Sequence, residues 1–138
     1  MNRHLSYFSC LIVFCLSVFS SFSQEHSNLN DYQPTEEYDN VHVVKIAEDD
    51  LHSTYIIWVK ESVAEHYHAS HTENIVVIQG KARMTINGEE IIIKKGDFIN
   101  IPEGTKHAVV EVLSHKPLKV LSTQTPIFDG KDRIFTES

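Results

Sequence analysis

The sequence predicts an all-β domain, an antiparallel sandwich or barrel. Three observations lead there. From Val41 onward the chain is a succession of short β-rich runs separated by turn residues. No stretch of about 10–12 residues carries a helical period. Asn87-Gly88 lies between Met84-Thr85-Ile86 and Ile91-Ile92-Ile93, the signature of a two-residue type I′ hairpin.

The elements follow in order. Met1 to His4 is short and carries Arg3, and Leu5 to Phe22 then holds no charge. Ser21 and Ser23 supply small residues at the −3 and −1 positions of a cut before Gln24. This is the n-region, h-region and cleavage pattern of a secretory signal peptide, expected over residues 1–23. The recurrent Ser and the immediate cleavage site argue against a retained membrane anchor. The product is expected to be exported, periplasmic or secreted.

Residues 24–40 form a polar leader in which Tyr32 and Tyr38 could dock on the domain. The barrel is expected over 41–126, with eight strands at Val41–Ala47, Thr54–Lys60, Asn74–Gln79, Ala82–Ile86, Glu90–Lys94, Phe98–Ile101, His107–Leu113 and Leu118–Thr123. Lys95-Gly96-Asp97 and Pro102-Glu103-Gly104 read as turns. Asp129-Gly130 marks a last turn within a tail, 127–138.

Composition narrows the function classes. The 138 residues carry 12 basic and 19 acidic side chains, net −7. Losing 1–23 removes Arg3 and no acid, which makes the mature chain more acidic still. Such a chain has no basic footprint for nucleic acid and little attraction to an anionic membrane. Both cysteines, Cys10 and Cys15, leave with the signal peptide. The mature chain then forms no disulfide or thiolate site, which suits a bacterial envelope protein better than a disulfide-stapled secreted domain.

The chemistry concentrates in His66-Tyr67-His68-Ala69-Ser70-His71-Thr72-Glu73. On a strand, His66 and His68 share a face about 7 Å apart, and Tyr67 points away into packing. Glu73 has the opposite parity and joins that face only if Ala69–Thr72 turns. His107 follows the turn at Gly104 and offers a third imidazole. Three imidazoles and a carboxylate suit Fe, Mn, Ni, Cu or Zn rather than Ca or Mg. His71 is expected to sit exposed in the turn and not to ligate. Trp58 reads as packing.

Here the sequence resembles the cupins. Their first motif, H-x-H, three or four residues, Glu, six residues, Gly, is matched by His66-x-His68, four residues, Glu73, six residues, Gly80. Their second, G, five residues, P-x-G, two residues, His, three residues, Asn, is matched by Gly96, Pro102-x-Gly104, His107 and Glu111. Fifteen residues, Lys81 to Lys95, separate the two. The resemblance covers about residues 53–124.

It implies a double-stranded β-helix (jelly-roll) cupin barrel and a metal held by His66, His68, Glu73 and His107. Two positions depart from the pattern. Lys60 stands where an opening Gly is usual, and Glu111 replaces the final Asn. Glu111 has the inward parity of its strand and is the one candidate acid/base. The resemblance implies one divalent transition metal ion, with Fe, Mn or Ni favoured and Zn or Cu possible. The expected activity is that of a metal-dependent dioxygenase, or an isomerase or decarboxylase of this type, on a small oxygen-rich molecule. The alternative is a non-catalytic module binding a sugar or carboxylate.

Ile75–Ile78 and Ile91–Ile93 are apolar on both faces, whereas a barrel interior needs one. A homodimer would cover the other face. The competing cover is intramolecular, from Tyr32, Tyr38, Phe128, Ile134 and Phe135.

Overall fold

The computed structural model describes residues 26–136, so the expected signal peptide lies outside the described residues. Ten strands follow in order: β1 (Val41–Glu48), β2 (Ser53–Val59), β3 (Val63–Tyr67), β4 (Thr72–Gln79), β5 (Lys81–Ile86), β6 (Glu89–Lys94), β7 (Phe98–Ile101), β8 (His107–Val112), β9 (Leu118–Thr125) and β10 (Ile134–Phe135). Eight correspond to the runs read from the sequence. The other two lack an autonomous β signature. β3 mixes Ala, Glu and His and is held by its pairing to β8, and β10 is two residues long and exists through pairing to β3.

The strands form two five-stranded antiparallel sheets, ordered β1-β2-β9-β4-β7 and β10-β3-β8-β5-β6. Apart from the β1–β2 and β5–β6 hairpins the chain passes from sheet to sheet, so that β4 pairs with β9 and β3 with β8 across long sequence separations. This winding is the double-stranded β-helix, and the fold is all-β as expected. Asn87 and Gly88 both adopt positive φ, as a type I′ turn requires.

The core lies between the sheets. Ile75, Val77, Ile99, Ile101, Leu118 and Val120 from one sheet meet Ala82, Met84 and Ile93 from the other. Along β4, Glu73, Ile75 and Val77 alternate inward as a strand period of two demands.

The outer face of β2 is also closed. Ile56 and Trp58 are buried there, and Trp58 lines a groove with Asn30, Gln33, Pro34 and Tyr38 of the leader. Lys119 donates its ammonium to the carbonyls of Leu29 (2.6 Å) and Tyr32 (2.8 Å) and lies over the Trp58 ring. Burial lowers the Lys119 pKa. The Lys60 ammonium reaches the Tyr38 carbonyl and sits 4.1 Å from that ring's centre. At the position where cupins usually carry Gly, this chain thus carries a side chain that fastens its leader. The leader thus covers part of the outer surface at β2, while Ile91 and Ile92 of the run expected to need cover stay exposed. Ile92 and Phe98 remain exposed.

Candidate metal centre

Two bulges set the directions of the side chains. In the β3–β8 pair, Val63 lies opposite Val109 and His66 opposite His107, so β3 carries one extra residue between them. A bulge of this kind re-aims the strand, and it turns His66 inward beside Val63. His68 follows two residues later on the same face. Ala69, Ser70 and His71 then bend the chain, bringing Glu73 to that face at the start of β4.

The three imidazoles form the one His/Cys/Asp/Glu group among the described residues whose ligand atoms all lie within 4.8 Å of one another. All three are buried, His68 to 2% exposure. The Glu73 carboxylate approaches two of them, with Oε2 3.6 Å from His68 Nε2 and 3.3 Å from His107 Nε2. Its other oxygen accepts a hydrogen bond from the Ser122 hydroxyl.

Each ring is oriented from behind. His66 Nδ1 lies 2.8 Å from the Ala64 carbonyl, and His107 Nδ1 lies 2.9 Å from the Thr105 carbonyl, in both cases two residues upstream. His68 Nδ1 meets the carbonyl of Asp132. A carbonyl only accepts, so each Nδ1 must carry the hydrogen. In the neutral rings the three Nε2 lone pairs then face inward. His68 Nε2 and His107 Nε2 are buried without a hydrogen-bond partner among the described residues. Two lone pairs facing a carboxylate oxygen at this range repel unless a proton or a cation lies between them. The donor set therefore fits a divalent transition metal.

The electrostatics agree. Burial pushes His66 down to about 4, which keeps it neutral. Burial would raise Glu73, but His107, His68 and Ser122 together hold its carboxyl well below the usual carboxylate range. For His68, burial acts downward, yet the contacts to Glu73 and to the Asp132 carbonyl outweigh it and raise the pKa.

Two sequence expectations are corrected. Glu111 does not face inward. Met84 lies opposite Val109 and Arg83 opposite Glu111, so Val110 is an extra residue in β8 and the parity flips there. Glu111 ends on the outer surface, 3.4 Å from the Arg83 guanidinium. His71 is not exposed. It is buried, with Nδ1 on the Asp132 carboxylate and Nε2 3.1 Å from the Ile127 carbonyl. It stays outside the three-imidazole group. Trp58 packs, as expected.

Sequence reasoning missed the strap formed by residues 126–136. Phe128 packs edge-on against His68 (5.6 Å between ring centres) and His71 (5.3 Å). The Asp132 carboxylate accepts from the Ala69 and Ser70 amides and the Ser70 hydroxyl, each at 2.9 Å, and from His71. Burial would raise Asp132, but these donors hold it far below the carboxylate range. No motif announces this residue. Ser122 and Gln124 were more accessible, because they continue the inward parity of Leu118 and Val120 and are polar where packing alone would ask for apolar side chains.

A cavity of about 70 Å³ opens beside the centre, lined by His66, Glu73, His107 and Arg133 and otherwise by apolar side chains such as Val43, Ile57 and Val109. A water needs roughly 10–15 Å³ on this measure, so several waters or one compact ligand fit.

Comparison with known proteins places this geometry. Residues 53–124 match the Cupin domain family. An uncharacterized protein of Aquifex aeolicus is 31% identical over 99 residues, covering 72% of this chain and 80% of its own length. Quercetin 2,3-dioxygenase of Bacillus subtilis is 29% identical over 75 residues, 51% of this chain but 22% of that protein. The solved structure of an uncharacterized conserved protein with a double-stranded β-helix domain, from Klebsiella pneumoniae, superposes with a TM-score of 0.68 at 18% identity, over 84% of this chain and 100% of that one. By sequence match, fold and the disposition of its histidines, this chain belongs to the cupin family.

Proposed function

We propose that the chain is an exported, mononuclear metal-binding cupin that acts as a metal-dependent dioxygenase, or a related enzyme, on a small oxygen-rich molecule. One observation carries the reading: three inward imidazoles, each fixed by a carbonyl behind it, converge beside a cavity, with the Glu73 carboxylate against two of them. His66, His68, Glu73 and His107 would hold the ion, with Fe, Mn or Ni favoured over Zn or Cu. Bound there, the ion would supply Lewis-acid activation of substrate oxygens. Glu73 would offset one of the ion's two charges and the neutral rings none, while the apolar walls limit water around the reacting groups. The likeness to a quercetin 2,3-dioxygenase supports oxygen-dependent chemistry.

A second reading is favoured by a specific observation. With Glu111 on the outside, the titratable groups lining the cavity are His66, Glu73, His107 and Arg133, and none is left over as a general base. This weakens isomerisation, which requires proton abstraction. It leaves dioxygenation, decarboxylation or ligand binding without turnover. O₂ uptake by metal-replete protein against enediols and phenols separates the alternatives. Consumption that His107→Ala abolishes supports the enzyme, and saturable binding without consumption supports the binding module.

The reading includes removal of residues 1–23 and association as a homodimer. The exposed Ile92 and Phe98 support a second copy of the chain as the cover for the remaining outer face. Light scattering of the mature form tests this, and a monomer mass rejects it.

A further inference from the structure

Arg133 is the cavity-lining cation that the metal reading does not use. It is half-buried, and its Nε is fully buried with no hydrogen-bond partner among the described residues. No carboxylate among the described residues pairs with it. Its backbone is fixed on both sides. Asp132, just before it, is held by the Ala69 and Ser70 amides and receives His68. Ile134 and Phe135, just after it, pair with Tyr67 and His66 of β3. The guanidinium is thus built into the wall of the same cavity that His66, Glu73 and His107 line.

A cavity-lining guanidinium with no carboxylate partner among the described residues leaves its charge uncompensated, and an anion reaching its terminal nitrogens from the cavity would offset it. The planar fork of Arg matches a carboxylate, which it can engage through two parallel hydrogen bonds. Val41, Val43, Ile57, Val63 and Val109, which also line the cavity, give a polyhydroxylated sugar nothing to bond. A compact acid fits both demands.

We infer that Arg133 binds the carboxylate of a small 2-oxygenated carboxylic acid, whose adjacent oxygen faces the His66–His68–Glu73–His107 centre, so that the pocket selects anions over neutral sugars and phenols. The orientation toward the centre rests on the proposed metal site. The carboxylate contact does not, since Arg133 is a protein group present with or without the ion.

The test uses the mature chain, both metal-free and loaded with Mn²⁺, titrated by calorimetry with lactate and with lactamide, its neutral isostere. Lactate is expected to bind both forms and lactamide to bind at least about tenfold more weakly, as loss of a charge-assisted pair predicts. Arg133→Gln should weaken lactate about tenfold or more in both forms while metal content stays at the wild-type level, and Arg133→Lys should fall between. A thermal melt of each variant guards against a released strap, with Arg133→Lys as the variant that keeps the charge. Equal affinity for lactate and lactamide, lactate binding undiminished in Arg133→Gln, or no saturable lactate binding at millimolar concentration each overturns the inference. Loss of Mn²⁺ binding with Arg133-dependent lactate binding intact would instead overturn the metal reading alone.

Discussion

Replacing Asp132 with Asn probes the link between the strap and the histidines. The carboxylate accepts from two backbone amides, the Ser70 hydroxyl and His71. An amide keeps one acceptor oxygen and turns the other position into a donor. That donor faces either the Ala69 amide or the Ser70 and His71 donors, so at least one contact becomes repulsive. A hydrogen bond to a charged group is worth about 1.5–3 kcal/mol, and losing one or two of them gives a loss of roughly 3–5 kcal/mol. For a domain of this size each kcal/mol moves Tm by about 4 °C, so the melt should fall by roughly 10–20 °C. The centre should suffer as well. The Asp132 carbonyl fixes His68, and disturbing such a supporting contact costs about 10–100-fold in metal affinity. Differential scanning calorimetry and competition against a chromophoric chelator read both effects. A variant that melts and binds metal like the wild type would refute the strap as a structural part of the site.

Three further outcomes follow from the same geometry. At Gly80, φ is +90° and a Cβ would lie 3.0 Å from Leu118 Cα, the Pro117 carbonyl and Ser114 Oγ, so Gly80→Ala should cost about 2–4 kcal/mol in chemical denaturation. Deleting residues 24–38 should uncover Trp58, red-shift the tryptophan fluorescence and cost about 2–3 kcal/mol from re-exposed apolar area. Metal affinity should fall as pH drops. A metal needs His68 neutral, and its raised pKa means that proton competition begins above the ordinary histidine value, whereas His66 does not compete until about pH 4. Titrations in stepped buffers should therefore show affinity declining well before acid unfolding, and a flat profile down to pH ~5 would contradict the assignment of His68.

The β-runs were legible because each rested on a local signal: the continuous β-branched run Ile75-Val76-Val77-Ile78 in β4, the Asn87-Gly88 turn, and β-branched residues in β2 and β9. The His66, His68, Glu73 and His107 cluster was legible because two spaced motifs on paired strands carry it. Parity arguments failed where a bulge intervened. Val110 adds one residue to β8 and turns Glu111 outward, and nothing in HAVVEV marks the insertion. The strap was illegible for a different reason. Asp132 acts more than 60 residues from His68, Ala69, Ser70 and His71 in sequence, and its contacts to His68, Ala69 and the Ser70 amide run through backbone groups that carry no residue identity. The polar leader looked like a solvated segment because its anchoring contacts use its own carbonyls, at Leu29, Tyr32 and Tyr38, with lysines of the barrel as donors.

The central claim is that the buried imidazoles and Glu73 form a metal site. Its most direct test is elemental analysis of untagged protein purified without added metal, beside His107→Ala prepared identically. The account predicts about one transition metal ion per wild-type chain and near-complete loss in the variant, since His107 supplies one of the three converging imidazoles and lies against Glu73. A wild-type protein that stays metal-free even after incubation with Fe²⁺, Mn²⁺ and Ni²⁺, or a His107→Ala chain that keeps its ion, would contradict it.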